Sequence, residues 1–132
     1  MTDQVETVQS LRGFFEAMSA EEPTSSADRF HDPFLSIDPA TVAVIGREQL
    51  RGALPAREKL FASVGAGRAA LQDVAVTVLD DLHVLASTRW AMATEKSSIT
   101  LESTYLLRRE GASWTAMVYL NHHDIRQLLQ AQ

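Results

Sequence analysis

The sequence contains no cysteine, and this absence alone removes several classes of function. A chain without cysteine has no disulfide framework, no thiolate metal site and no cysteine nucleophile. It is compatible with a reducing compartment, so we expect a cytoplasmic location. No apolar run approaches the ~20 residues of a membrane-spanning helix. The acidic and polar start, MTDQVETVQS, does not resemble a signal peptide. The sequence therefore predicts a soluble protein without a membrane partner.

Clusters of basic residues are also missing. The twelve Lys and Arg residues are scattered, Arg108–Arg109 is the only adjacent pair, and the formal net charge is −5. Binding to a phosphate backbone depends on clustered positive charge, so no nucleic-acid partner is expected. The sequence has no glycine-rich phosphate loop, no GxSxG and no zinc signature, which disfavours nucleotide-dependent enzymes and serine hydrolases. We expect no cofactor.

The first half of the chain carries helical periodicity. A length of 132 residues with 45% hydrophobic content predicts one domain over residues 1–132 with a real core. Apolar residues at spacings of three and four predict a first helix, which Thr2 or Asp3 would cap: Val5, Val8, Leu11, Phe15 and Met18. A short second helix ends before Pro33. A third helical region begins at Gly46, and Pro55 either kinks it or starts a new helix. Gly65 and Gly67 are expected to end this region as a C-cap does.

From Arg68 onward the period changes from 3.6 to 2, which indicates strands. LQDVAVTVL and LHVLASTRWAMAT are joined at Asp80–Asp81, and a turn over residues 96–98 leads into the next strand. The last hairpin pairs residues 99–109 with 114–121, and a helix over 123–130 closes the chain. Two shorter strands, FLSID and TVAVI, precede the third helix. Helices followed by an antiparallel meander predict an α+β domain.

The expected turns give a register, and the register divides the meander into two faces. The more aliphatic face is expected to pack under the helices: Leu101, Ser103, Tyr105, Leu107, Ala116, Val118 and Leu120, with Arg89 and Ala91 from the neighbouring strand. The other face combines flat side chains with hydroxyls: Thr88, Trp90, Met92, Glu102, Thr104, Met117, Tyr119 and Asn121. This composition favours a subunit interface, so we predict a homodimer through Trp90, Met92, Met117 and Tyr119. The alternative is an ordinary solvated sheet face.

The order of the elements, the segment Phe30–Phe34 (FHDPF) and the segment Trp114–His122 (WTAMVYLNH) carry a resemblance to a known superfamily. Over almost its whole length, the chain resembles the nuclear-transport-factor-2-like proteins, which include ketosteroid isomerase and the SnoaL-like polyketide cyclases. The resemblance implies a curved antiparallel sheet wrapped as a cone around the N-terminal helices. It also implies a hydrophobic pocket at the open end and, often, a homodimer. Members with this fold include enzymes, binding modules and assembly domains, so the fold does not give the function.

The resemblance also suggests where the pocket and its chemistry would be. The ligand-binding residues would be Phe14, Phe30, His31, Phe34, Ser103, Val118 and Leu120. Asp38-Pro39 resembles the proton-shuttling carboxylate of ketosteroid isomerase, and a carboxylate at an apolar rim has a raised pKa. The tyrosine of that enzyme falls near Phe14 and its second acid near Ser103 or Tyr105, so one role of three is retained. The alternative for Asp38 is a turn-forming residue before proline.

His31, His122 and Arg89 are the other candidates for chemistry. His31 could be oriented by Asp32 as a general base, or it could satisfy helix carbonyl groups. His122 lies near the late-strand acid of the SnoaL-like cyclases and could substitute for it in kind. Arg89 could anchor a carboxylate or enolate, or its stem could cover apolar surface. A metal site of His31, Glu102 and His122 has suitable ligands, but the register separates Glu102 from the pocket, so we expect no metal.

Two hypotheses remain open from the sequence. In the first, the protein is a cofactor-independent isomerase, cyclase or dehydratase that acts on a hydrophobic carbonyl compound. Asp38 or His122 would move the proton, and Tyr105 or Arg89 would polarise the oxygen. In the second, the same pocket belongs to a non-catalytic ligand-binding or dimerisation module. An open cavity that contains Asp38 with a raised pKa would favour the enzyme, whereas an Asp38 hydrogen-bonded to backbone would favour the module.

Overall fold

The structure is a computed structural model that describes residues 4–20 and 23–130, and it has the predicted α+β architecture. Its helices are α1 (Gln4–Ala20), a 3-10 helix (Pro23–Arg29), α2 (Arg47–Ala62) and α3 (Ile125–Gln130). Its strands are β1 (Phe30–Ile37), β2 (Val42–Ile45), β3 (Ala70–Val78), β4 (His83–Ala93), β5 (Ser98–Glu110) and β6 (Ser113–Asn121). The expected cap at Thr2 or Asp3 lies outside the described residues. Among the helices described, none combines the length and apolar character needed to cross a bilayer.

The six strands form one curved, unclosed sheet in the order β2-β1-β6-β5-β4-β3. The predicted meander is confirmed, because β3 to β6 pair antiparallel with their chain neighbours. The expectation of a wholly antiparallel sheet is wrong at one junction, where β1 and β6 pair parallel. This junction joins the early hairpin to the last strand of the meander. Such a long-range pairing is not specified by any local turn.

The core lies between the inner face of the sheet and the helices. Leu11 and Phe15 of α1 are completely buried, as the helical spacing predicts. The ring centroid of Phe15 lies 4.9 Å from that of Tyr105 and 6.2 Å from that of Trp90. These contacts join the first helix to the two central strands of the meander. Burying side chains of this size contributes about 1.5–3 kcal/mol each.

Helix α2 runs without interruption from Arg47 to Ala62, with Pro55 inside it. The alternative in which a new helix begins at Pro55 is therefore wrong. The helix begins where Asp32 Oδ1 accepts a hydrogen bond from the Arg47 N–H at 2.9 Å, which satisfies one of the free donors of the first turn. It ends before Gly65, whose positive φ of 75° and N–H bond to Ala62 O match the predicted glycine stop.

The expected face assignment of β4 is wrong by one residue. Cross-strand partners share a face, and Trp90 pairs with Leu101 while Thr88 pairs with Ser103. Thr88, Trp90 and Met92 are therefore buried on the inner face, while Arg89 points outward. The loop between β4 and β5 causes this shift in register. It spans residues 94–97 and is closed by Thr94 N–H donating to Ser97 O at 2.8 Å, whereas the sequence suggested a turn over 96–98.

A β-bulge in β6 changes the second half of that strand. Leu107 pairs with Ala116 and Leu106 with Val118, so Met117 is an extra residue on β6. Beyond the bulge, Tyr119 pairs with Tyr105 on the inner face, and Val118 and Leu120 are outside. The expectation that Val118 and Leu120 face the helices is wrong for this reason. The same bulge brings Tyr119 and Asn121 inward.

Candidate functional site

A cavity of about 380 Å³ lies between α2 and the inner face of the sheet. Its apolar wall comes from α1, α2 and the central strands: Met18, Leu54, Phe61, Trp90, Met92 and Leu101. Its polar wall comes mainly from β5 and β6, which contribute Ser103, Tyr105, Tyr119 and Asn121, and from Arg57 on α2. The volume falls in the range of small-molecule sites, about 300–1,000 Å³.

A wider groove adjoins this cavity and leads past β1, α2 and α3. The cavity and the groove share six residues: Met18, Leu54, Arg57, Tyr105, Tyr119 and Asn121. These residues therefore line the junction between the two spaces. A molecule that occupies the cavity and extends into the groove must pass them.

One wall of the cavity is held by a buried hydrogen-bond network. Trp90 Nε1–H donates to Thr88 Oγ1 at 2.9 Å, and the Thr88 hydroxyl donates to Ser103 O at 3.0 Å. The hydroxyl groups of Thr88 and Ser103 are 2.9 Å apart. Because the indole N–H has a partner on its own strand, the ring is fixed in one orientation where it lines the cavity.

The polar groups at the junction are mainly hydrogen-bond donors. Asn121 Oδ1 accepts from the His123 N–H at 3.0 Å, which leaves the Asn121 amide NH₂ without a partner in the described part of the chain. Burial, followed by repulsion from Tyr119, raises the pKa of Tyr105 far above its ordinary value, so its phenol stays protonated. Tyr119 Oη lies 3.5 Å from Arg57 Nη2. Donors of this kind complement a ligand that carries acceptor oxygens.

Arg57 was not among the residues that the sequence suggested for the site. It is half-buried on α2, and its guanidinium lies 5.7 Å from the centroid of the Phe61 ring. The spacing of apolar residues along α2 could have identified Arg57 as a candidate site residue. Arg57 follows Leu50 by seven residues and Leu54 by three, and it precedes Phe61 by four, so it occupies a position on the apolar stripe of the helix.

Asp38 lines the groove, and its carboxylate is hydrogen-bonded to nearby backbone N–H groups. Its Oδ1 accepts hydrogen bonds from the N–H groups of Ala40 and Thr41, both at 2.8 Å. Burial opposes ionisation, but these bonds and the Thr41 hydroxyl outweigh it and hold the pKa of Asp38 below its ordinary value. The residue therefore has the geometry of the turn-forming alternative, and its lowered pKa makes it a weaker base.

Arg89 and His122 lie on the outer face of the sheet, away from Tyr105. Arg89 is 3.7 Å from Asp73 in an exposed ion pair. His122 Nε2 is 2.8 Å from Thr104 Oγ1, which in turn is 3.1 Å from Ser87 Oγ. Of the four residues suggested for catalysis, only Asp38 and Tyr105 line a common space, the groove.

The residues suggested for ligand binding are divided among four environments. Ser103 lines the cavity, and Phe30 and Phe34 line the groove, with their ring centroids 4.7 Å apart. Phe14 is buried beside Phe15, at a centroid distance of 5.2 Å. The remaining three lie outside both spaces: His31, whose Nδ1 is 2.8 Å from Pro33 O, and the outward-facing Val118 and Leu120.

The residues suggested for the dimer interface do not share one face. Trp90 and Met92 are buried against the cavity, and Tyr119 lies at its junction with the groove, so these three are unavailable to an outer surface. Met117 is half-buried at the bulge. The physical reason is the shifted register of β4 together with the bulge in β6. Within the described residues, no group of three His, Asp or Glu side chains has the geometry to hold a metal ion.

Comparison with known proteins identifies the family and the fold. Residues 5–124 match the model of a family described as NTF2-like protein (DUF6841). No curated protein matches the chain. Among solved structures, Aln2 from a Streptomyces species superposes with a TM-score of 0.70 at 15% identity, covering 100% of this chain and 99% of that one.

Two further structures have the same fold at similarly low identity. An NTF-2 like protein of unknown function from Shewanella oneidensis MR-1 has a TM-score of 0.65 at 16% identity, covering 91% of this chain and 98% of its own. A hypothetical protein with a ketosteroid isomerase-like fold from Catenulispora acidiphila DSM 44928, in complex with trimethylamine, has a TM-score of 0.58 at 16% identity. That match covers 98% of this chain and 92% of the other. These likenesses establish the fold and leave the activity open.

Proposed function

This chain belongs to the NTF2-like family, and we propose that it binds a small, largely apolar molecule that carries an acceptor oxygen, with the apolar part in the cavity under α2. The observation that carries the proposal is the cavity itself, a space of about 380 Å³ that has a largely apolar wall and four polar side chains, Arg57, Tyr105, Tyr119 and Asn121, at its junction with the groove. Small-molecule sites typically combine such a space with a few convergent polar groups.

The polar groups favour an acceptor on the ligand. The protonated phenol of Tyr105, the NH₂ group of Asn121 and the guanidinium of Arg57 can all donate. A carbonyl or carboxylate oxygen near these groups could accept hydrogen bonds from them, above all from the Asn121 NH₂ group, which has no other partner in the described part of the chain. Leaving such a donor unsatisfied costs about 1–3 kcal/mol, and this penalty favours oxygen-bearing ligands over pure hydrocarbons.

Binding is favoured over catalysis by the arrangement of the candidate residues. A proton-transfer enzyme needs a base within hydrogen-bond reach of the substrate and with a pKa near the working pH. Asp38 is engaged by backbone N–H groups and its pKa is lowered, while His122 and Arg89 are on the opposite face of the sheet. Isomerase, dehydratase and polyketide-cyclase chemistry therefore stay predictions from the resemblance. The trimethylamine complex of the Catenulispora protein supports small-molecule binding by this fold.

Fluorescence can test the proposal, because one of the two tryptophans lines the cavity. Trp114 lies outside the cavity, where its indole N–H donates to Ser10 Oγ at 3.1 Å. The substitution Trp114→Phe leaves Trp90 as the single reporter. Titration with 2-acetylnaphthalene, an apolar aromatic ketone, is expected to change the Trp90 emission in a saturable way.

A matched pair of substitutions separates the cavity from non-specific surfaces. Ala66→Phe places a ring at a half-buried position on the cavity wall, whereas Ala53→Phe places the same ring on the exposed side of α2. We expect Ala66→Phe to weaken binding at least tenfold and Ala53→Phe to leave it unchanged. Equal binding by both variants, or no saturable binding by the parent protein, would show that the cavity is not a ligand site.

We also propose a homodimer, through outer-face residues that differ from those suggested by the sequence. Leu85, Leu106 and Val118 are cross-strand neighbours and form an apolar row across β4, β5 and β6. Leu85 is 37% exposed, and a row of this kind is typical of a surface that has a partner. Light scattering is expected to give twice the 14.6 kDa chain mass.

The substitution Leu106→Glu tests the interface. It should reduce the mass to that of one chain, while Leu79→Glu, at a 51% exposed position in a turn, should not. A dimer that survives Leu106→Glu would have to use another surface. The cytoplasmic location stays a prediction from the cysteine-free sequence.

A further inference from the structure

Arg57 is the charged residue that the two spaces of the site have in common. Among the described lining residues, the cavity also has Glu58, Arg68 and Glu102, and the groove has Asp38, Asp124 and Arg126, but only Arg57 belongs to both sets. Glu58 and Glu102 are exposed side chains, and Arg68 Nη1 donates to Ser19 O at 2.9 Å. The positive charge at the junction therefore comes from a single guanidinium.

The guanidinium of Arg57 has no carboxylate partner within ion-pair distance in the described part of the chain. Within the described residues it contacts two aromatic side chains: Tyr119 Oη lies 3.5 Å from its Nη2, and the Phe61 ring centroid lies 5.7 Å from its Cζ. Attraction to the Tyr119 oxygen raises the pKa of Arg57 against the opposing effect of burial, so the group keeps its charge. A half-buried cation without a counter-ion is costly unless another anion arrives.

Arg51 on the same helix shows how this chain pairs an arginine that has a structural role. Arg51 Nη2 is 2.6 Å from Asp28 Oδ1, and its Nε is 3.2 Å from Glu48 Oε1. Asp28 lies in the 3-10 helix against which α2 packs, and Glu48 lies on α2 itself. Arg57 lies less than two turns further along the helix and faces a cavity instead of a carboxylate. The difference between the two arginines indicates that the counter-ion of Arg57 comes from outside the chain.

We propose that the ligand of the cavity is an organic anion, an apolar body that ends in a carboxylate paired with Arg57. This inference rests on the proposed function, because it assigns the ligand class of the same site. The apolar body lies against Trp90, Met92 and Leu101, and the carboxylate lies at the junction. The planar guanidinium suits a carboxylate, since it can donate two parallel N–H···O bonds. The Asn121 NH₂ group provides a further donor at the junction.

Three probes with one aromatic body separate this inference from the proposed function. They are 2-naphthoate, 2-acetylnaphthalene and (2-naphthylmethyl)trimethylammonium, which carry a negative charge, no charge and a positive charge. Binding is followed by calorimetry and by Trp90 emission in the Trp114→Phe protein. We expect naphthoate to bind at least tenfold more tightly than the ketone, and the ammonium compound to bind most weakly.

The substitutions Arg57→Gln and Arg57→Lys test the role of the guanidinium. Arg57→Gln should abolish the preference for naphthoate. Saturable binding of the ketone should persist, because the glutamine NH₂ group can still donate to a neutral carbonyl, and this shows that the cavity is intact. Arg57→Lys should retain part of the preference, because it keeps the charge and loses the planar fork. Arg51→Gln, which removes an arginine from the same helix outside the cavity, should leave the preference unchanged.

The outcomes separate the two proposals. Equal affinity for naphthoate and the ketone, or a naphthoate preference that survives Arg57→Gln, would overturn the anion assignment and leave the cavity as a ligand site. Binding of none of the three probes would overturn the proposed function and the anion assignment with it.

Discussion

The substitution Thr88→Val is the most informative test of how the cavity wall is built. Thr88 is 3% exposed, and its hydroxyl is the acceptor for the Trp90 indole N–H at 2.9 Å. Valine has nearly the same shape but cannot accept a hydrogen bond. The substitution therefore leaves a buried donor unsatisfied and removes the bond to Ser103 O. An orphaned buried donor costs about 1–3 kcal/mol, so we expect the free energy of unfolding to fall by about 2 kcal/mol.

Urea denaturation followed by far-ultraviolet circular dichroism measures this change without depending on tryptophan. At a slope of about 2 kcal/mol/M, a loss of about 2 kcal/mol lowers the midpoint by about 1 M. Thr100→Val is the control, because Thr100 is exposed on β5 and valine suits a strand. We expect this control to keep its stability within about 0.5 kcal/mol.

A double-mutant cycle shows whether the loss of stability in Thr88→Val comes from the unsatisfied indole N–H of Trp90. In a Trp90→Phe background there is no N–H to orphan, so Thr88→Val should cost less there by about 1–2 kcal/mol. The same cost in both backgrounds would mean that the indole bond contributes nothing and that the reasoning is wrong. A cost below about 0.5 kcal/mol in the parent protein would refute it as well, because water in the cavity would then be replacing the lost acceptor.

Three further predictions concern the turn, the helix cap and the core. Asp38→Ala should lower stability by about 1 kcal/mol at neutral pH because Ala40 and Thr41 lose their acceptor, whereas Asp38→Asn should retain most of it. The pKa of Asp38 is lower in the folded state than in the unfolded state, so its contribution to stability is fully present above the unfolded pKa of about 3.9 and is lost as the pH falls through the folded value. The difference in urea midpoint between the parent protein and Asp38→Ala should therefore shrink in acid. A difference that stays constant with pH would contradict this prediction. Asp32→Ala should cost about 1 kcal/mol through the lost cap on α2, and an unchanged urea midpoint would refute the cap. Phe15→Ala should cost about 3–5 kcal/mol by thermal or urea unfolding, much of the stability of a domain this size, and a loss below about 1 kcal/mol would contradict the tight packing around Phe15.

The elements that follow from local chemistry could be predicted from the sequence. The helical spacing identified α1 and its buried Leu11 and Phe15, and the change to period 2 identified the meander. Gly65 ended α2 because a positive φ of 75° favours glycine. These features depend on residues within a few positions of each other, which is the range over which propensity and periodicity are informative.

The faces of the sheet could not be predicted with the same success. A strand has a period of two residues, so the loop over 94–97 needed to differ from the expected turn by only one residue to reverse β4. The bulge at Met117 contains no glycine or proline that would have indicated it in the sequence. The parallel pairing of β1 with β6 joins segments about eighty positions apart, between Phe30 and Ala116 and onward. Arg57 carries a charge on an apolar helical stripe, and such a position does not by itself distinguish a site residue from one whose stem covers apolar surface.

The bulge at Met117 has a consequence for how this sequence should be aligned with its relatives. Removing that one residue would rotate the rest of β6 by half a period, so that Tyr119 and Asn121 would exchange sides with Val118 and Leu120. The inner wall of the site and the apolar row outside would then be altered by a single deletion. An alignment gap that is misplaced by one position at the bulge causes the same error, since it matches inward-facing residues of one protein with outward-facing residues of another. At identities near 15%, the strand position of each residue has to be established from its cross-strand partner before any functional role is transferred.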